Sequence, residues 1–201
     1  MLWYAAYGSN MARARFACYV QGGRPPGGAR EYPGCRDGRM PEADRAVTLA
    51  GRLFFAGVSQ VWGGGRAFFE AGGGEVPARA YRVTAGQFAD VAAQEMYREP
   101  GGAELDLAEV LARGRVVLGP GRYETLVLAG WVAGEPMVTF TSPWGADGAE
   151  LNAPSAAYLR QLAAGLREAH GWGRERIAGY LAARPGAAGL WSAEAVARVL
   201  V

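Results

Sequence analysis

Leu2-Trp3-Tyr4-Ala5-Ala6-Tyr7-Gly8-Ser9-Asn10-Met11 opens the chain and decides how the rest is read. From Leu2 to Tyr7 the run is apolar without alternation, the pattern of a strand buried on both faces. It stops at Gly8-Ser9-Asn10, and a stretch of helical character follows, marked by Met11, Phe16, Tyr19 and Val20. A junction of buried strand, tight loop and helix start turns free backbone N–H groups toward one point, and the positive end of the helix dipole reinforces them. Gly8 admits close backbone approach, while Ser9 and Asn10 supply short polar side chains. Such a loop suits a carboxylate or a phosphate. Ser and Asn are also ordinary helix caps, so a plain capped helix explains the same residues. Arg13 and Arg15 add positive charge nearby, although the usual place of such residues is a solvated helix face.

Residues 21–46 are rich in Gly, Pro and Arg and carry little periodicity, as in a long irregular segment. Three strand candidates follow, at 47–57, 67–70 and 76–83, with Gly63-Gly64-Gly65 and Gly72-Gly73-Gly74 as turns between them. Residues 85–98 have helical spacing. Residues 122–142 return to strand, with Gly134-Glu135-Pro136 as the hairpin turn. The remainder is helical. Asn152 caps a helix starting near Pro154, with Leu159, Leu162 and Leu166 along one face and Gly171 as its stop. Ile177, Tyr180 and Leu181 mark a second helix ending at Pro185-Gly186, and Ser192 starts a short third. Strands first and helices last predict an α+β domain.

Glu95 is the second feature that carries chemistry. On a helix through Gly86, turning about 100° per residue, Phe88, Val91 and Ala92 define the apolar face and Glu95 falls near its centre. A carboxylate on the core side is costly unless paired, hydrogen-bonded or neutral. Burial raises a carboxyl pKa toward neutrality, which suits a general acid/base. A structural Glu–Arg pair competes evenly with that reading, because all 21 basic residues are arginine. Glu99 lies on a similar face, but Pro100 disrupts a helix there. Tyr123 and the run Thr139-Phe140-Thr141-Ser142 are weaker pocket candidates, more simply read as packing. His170 reads as a structural residue at a helix end.

Composition removes other chemistries. With 201 residues and a net charge of +2, the chain suits one domain and shows no electrostatic signature of a nucleic-acid or membrane partner. No lysine means no Schiff base and no phosphate-loop lysine. One histidine and two cysteines without CxxC spacing do not furnish a histidine-rich metal site. Neither a GxSxG elbow nor a GxGxxG after a strand is present. Two free thiols, no basic leader and no long apolar run predict a cytoplasmic protein.

Tyr4-Ala5-Ala6-Tyr7-Gly8-Ser9-Asn10-Met11, followed after several strands by a helix carrying Gln94-Glu95-Met96, resembles the gamma-glutamylcyclotransferase-like family. Residues 76–83 resemble the strand that leads into that family's catalytic helix. The resemblance implies a small mixed β-barrel flanked by helices, with a cavity at its mouth. The expected catalytic domain spans 1–150, and the helices over 151–201 read as an extension packed on the same domain whose role the resemblance does not explain. The resemblance also implies that Tyr7, Gly8, Ser9 and Asn10 bind a glutamyl group and that Glu95 is the acid/base. The reaction would be cyclisation of a γ-glutamyl amide to pyroglutamate, without a cofactor or metal. The implied partner is a small molecule with a glutamyl-like carboxylate, and a homodimer stays open. The family often has glycine after the glutamate where this chain has Met96-Tyr97. Two other readings remain: a non-catalytic small-molecule-binding module, and an amide hydrolase or acyl-transfer enzyme acting on a specialised metabolite.

Overall fold

The computed structural model describes residues 1–102 and 105–200. Its strands are β1 (Leu2–Ala6), β2 (Asp44–Ala56), β3 (Arg66–Val83), β4 (Arg115–Val117), β5 (Thr125–Val132) and β6 (Glu135–Thr141). Its α-helices are α1 (Arg13–Gln21), α2 (Ala85–Glu95), α3 (Ala108–Arg113), α4 (Ala156–His170), α5 (Arg174–Ala182) and α6 (Ala193–Val199). The strands form one mixed sheet in the order β2-β3-β1-β6-β5-β4. The first strand is central, antiparallel to β3 and parallel to β6. The expected α+β class holds, but the sheet is open: β2 and β4 end it and do not pair with each other.

The unalternating run at the N-terminus has a simple cause. Side chains of β1 alternate across the sheet, and both sides are covered. Trp3, Ala5 and Tyr7 enter one core with Leu159, Leu162 and Leu166 of α4 and Ile177 and Leu181 of α5. Leu2, Tyr4 and Ala6 enter a second core with Phe16, Tyr19 and Val20 of α1 and Phe88 and Val91 of α2. The C-terminal helices therefore cover one face of the sheet, and α1 and α2 cover the other.

Three local expectations change. The strand candidates at 67–70 and 76–83 are one strand, β3. Pairing with β2 steps from Ala50↔Glu75 to Gly51↔Ala71, so Gly72-Gly73-Gly74 bulges out rather than turning the chain. The β5–β6 turn falls on Ala133-Gly134, both at positive φ (50° and 80°), as a two-residue hairpin requires, and Glu135 already belongs to β6. Ser155, not Asn152, caps α4 through its hydroxyl on the Tyr158 amide. Asn152 instead donates to the Gly57 carbonyl at 2.8 Å. Besides these, a stretch for which no element was expected holds α3 and then β4, and β4 forms the sheet edge beside β5. No helix among the described residues is long and apolar enough to cross a membrane.

Candidate active site

β1 ends at Ala6, and the chain turns at once through a single 3-10 turn, Ser9–Met11, closed by the Met11 amide on the Gly8 carbonyl. Only then does α1 begin, at Arg13. The loop is thus not the N-terminus of α1, and the dipole of that helix is not centred on Gly8–Asn10 as expected. What places the loop is burial: Ser9, Asn10 and Met11 are all buried, and the Tyr81 hydroxyl donates to the Asn10 carbonyl at 2.9 Å.

Glu95 comes to the same place from the opposite direction. Thr84 and Gln87 form a reciprocal capping box that fixes the start of α2. Phe88, Val91 and Ala92 bury its apolar face, so the last residue of the helix is delivered beside the loop. Asn10 Nδ2 donates to Glu95 Oε1 at 3.2 Å and to the Tyr4 hydroxyl at 3.3 Å. The structure therefore brings together the two segments that the sequence singles out, 85 residues apart.

Tyr7, Gly8, Ser9, Asn10 and Glu95 all line one cleft, together with Tyr4, Arg15, Tyr19, Tyr32, Trp62, Arg66, Tyr97, Arg122, Tyr123 and Tyr158. Glu95 holds the only carboxylate among the described residues lining it. The tyrosines around it hold their protons firmly: burial, then the Glu95 charge, push the Tyr4 and Tyr19 hydroxyls well above the ordinary phenol range. Burial raises Tyr158 to about 12. These rings supply walls and hydrogen bonds to the cleft.

The backbone just beyond Glu95 is held tightly. Arg122 Nη2 donates to the Glu95 carbonyl at 2.9 Å, and its guanidinium lies 4.2 Å from the Tyr97 ring centroid. Arg30, from the irregular segment, covers the same ring at 4.3 Å. Tyr97 itself adopts φ 60°, a left-handed conformation uncommon outside glycine. Met96-Tyr97, the departure from the family pattern, is thus a clamp on the end of α2.

Other candidates resolve as follows. Tyr123 lines the cleft and donates to the Ala67 carbonyl at 3.0 Å. Phe140 lines it too, whereas Thr139 and Thr141 bond to backbone carbonyls of Ala5 and Phe69. Glu99 is exposed beyond the end of α2. His170 sits at the end of α4, within 3.0 Å of the Ala78 carbonyl and away from the cleft. Arg13 pairs with Asp44 at the surface, as expected of a helix arginine. Arg15 does the opposite: it is 3% exposed and lines the cleft. Its spacing to Phe16, Tyr19 and Val20 carried the signal, since all four fall on one side of α1.

No family model matches the chain. A solved gamma-glutamyl cyclotransferase structure matches over 99% of this chain and 97% of its own, at 19% identity and a TM-score of 0.54. The chain has the gamma-glutamyl cyclotransferase fold. A crystal structure of an uncharacterized human protein shares this fold, covering 92% of this chain and 88% of its own at 20% identity, with a TM-score of 0.53. By sequence, the chain is similar to histone deacetylase 5 of Arabidopsis thaliana, 31% identical over 198 residues. That match takes in 90% of this chain but spans only 30% of the plant protein.

Proposed function

We propose that the protein cleaves γ-glutamyl amides by intramolecular cyclisation, with Glu95 as the acid/base and the Tyr7–Asn10 loop as the glutamyl-binding element. One observation carries the reading: the Asn10–Glu95 hydrogen bond, which joins the loop to the sole carboxylate of the cleft's described lining. The gamma-glutamyl cyclotransferase fold supports it.

The chemistry needs few parts. Bound folded, the glutamyl α-ammonium gives a proton to Glu95, and the freed amine attacks the γ-carbonyl carbon. A C–N bond forms, the ring closes and the carbonyl oxygen takes negative charge. Collapse expels the amide nitrogen, which receives that proton from Glu95 as its C–N bond breaks. The ring nitrogen gives up its second proton to solvent through Glu95, leaving a neutral lactam. Pyroglutamate and a free amine leave, with no water consumed. Because nucleophile and carbonyl belong to one molecule, holding it folded supplies much of the acceleration. Asn10 keeps Glu95 at the reacting nitrogen, and hydrogen-bond donors around the loop steady the developing oxyanion.

Incubation with a panel of γ-glutamyl amines and mass-spectrometric product analysis tests the reaction. Pyroglutamate is the expected product. Free glutamate would replace the reading with amide hydrolysis, and saturable binding without product would leave a binding module. A companion expectation concerns Asn10. Asn10→Ala removes a neutral-to-charged hydrogen bond, so kcat/KM should fall about 10- to 100-fold with the fold retained. Unchanged kinetics would remove Asn10 from the site.

A further inference from the structure

We propose that Tyr19, on α1, is a positioning residue for Glu95: its phenol, itself held by Arg15, fixes the carboxylate in the orientation that proton transfer needs. The purpose of that orientation rests on the cyclisation reading. The contact between Tyr19 and Glu95 does not.

Two adjacent residues of α2 lead to Tyr19. Gln94 is fully buried, and its Nε2 donates to the Tyr19 carbonyl at 3.0 Å. That bond fastens the end of α2 to the last turn of α1, and Glu95 is the next residue along. At the other end of the tyrosine, Arg15 Nη2 donates to the hydroxyl at 3.1 Å. The Arg15 guanidinium carbon lies 4.4 Å from the centroid of the same ring. Tyr19 is thus gripped at its backbone, its ring face and its oxygen.

A phenol oxygen that accepts from a guanidinium still has its own proton to give. Tyr19 is 2% exposed, and the carboxylate within the described lining of the cleft is that of Glu95. A hydrogen bond to Glu95 is among the causes that hold the Tyr19 proton in place, after burial and the Glu95 charge. Other phenols nearby feel that charge but are bonded elsewhere. Tyr4 accepts from Asn10, Tyr32 from Arg15 and Tyr158 from the Ala67 amide.

A second donor matters because of how a glutamate moves. The torsion that turns the carboxylate is broad, so one hydrogen bond from Asn10 to Oε1 leaves the group free to swing. A donor from a different element defines its plane. Donation to an ionised oxygen is of the strong kind, and the Arg15 charge polarises the Tyr19 O–H further.

Tyr19→Phe keeps the ring and removes the donor. With whichever γ-glutamyl amine the parent protein turns over, kcat should fall about 10- to 100-fold, the worth of a hydrogen bond to a charged group. KM should stay within about twofold. Added to Glu95→Gln, the same change should lower the residual rate by less than about twofold, because no acid/base is left to position. An unchanged kcat overturns the proposal. So does a loss carried by KM, or an equal loss in both backgrounds, either of which would make Tyr19 an ordinary part of the cleft wall. A second cycle needs no turnover. The drop in Tm caused by Tyr19→Phe should be larger in the parent than in a Glu95→Ala protein, where the phenol has lost its acceptor. Equal drops overturn the contact, and pyroglutamate formed alongside them leaves the cyclisation standing without Tyr19. Unequal drops in a protein that forms no pyroglutamate do the reverse: Tyr19 still holds Glu95, and the cyclisation is removed.

Discussion

Glu95→Gln should lower kcat by about 10²- to 10⁴-fold, the range that a positioned general acid/base supplies. The substitution is a clean probe because the contacts of Glu95 are largely independent of its charge. Its Oε1 accepts from Asn10 Nδ2 at 3.2 Å, and a glutamine Oε1 accepts in the same place. Its carbonyl accepts from Arg122, which the side chain does not affect. The capping box and apolar face that position α2 lie one or more turns away. Thermal unfolding should therefore stay within a few degrees of the parent while turnover collapses. The neighbouring tyrosines give no ready substitute, since burial holds their protons through neutral pH. A variant that keeps most of its rate would make Glu95 structural, a role for which Arg122 and Asn10 already provide partners.

What the sequence conveyed of this site follows from how strongly each contact is written into local pattern. The loop was legible because a doubly buried strand produces an unbroken apolar run, and its stop at Gly8 is abrupt. Glu95 was legible because helical periodicity places it against Phe88, Val91 and Ala92. Their meeting through Asn10 is tertiary and leaves no local trace; only the family resemblance anticipated it. Arg15 was misjudged for a physical reason: two arginines on one turn look alike by type, and only their angle around α1 separates them. Arg13 points to Asp44 and solvent, whereas Arg15 shares the face of Phe16 and Tyr19. The glycine run 72–74 misled because glycine serves both turns and bulges, and the register that decides between them belongs to β2. Asn152 and Ser155 are both competent caps by type. The choice was made by Asn152 finding the Gly57 carbonyl across the fold. Barrel closure, finally, depends on how far β2 and β4 approach, which no residue pattern in either strand records.

Gly165→Val tests the part of the fold whose function the sequence left blank. Gly165 lies inside α4 where that helix crosses the 3-10 turn after β1, and a Cβ there would stand 2.4 Å from the Met11 Cβ and 3.0 Å from the Ala12 nitrogen. Those atoms belong to or are fixed to the backbone just after the Gly8–Asn10 loop and have no flexible end to swing aside. Either α4 lifts from the sheet or residues 9–12 move. Overpacking of this kind costs about 1–3 kcal/mol, and a lower Tm should follow, by about 2–4 °C per kcal/mol at this chain length. KM should rise as well, because the displaced loop carries Ser9 and Asn10. Gly179→Ala in α5 is the control. It is an exposed helical glycine with nothing within 4 Å of an added Cβ, so it should be neutral or stabilising by up to about 1 kcal/mol. A Gly165→Val protein that unfolds early yet keeps its KM would confine α4 to holding the sheet together. A shift in both would mean that the C-terminal helices set the position of the loop that binds the substrate, and Tyr158, which reaches the cleft from the same helix, would be part of that support.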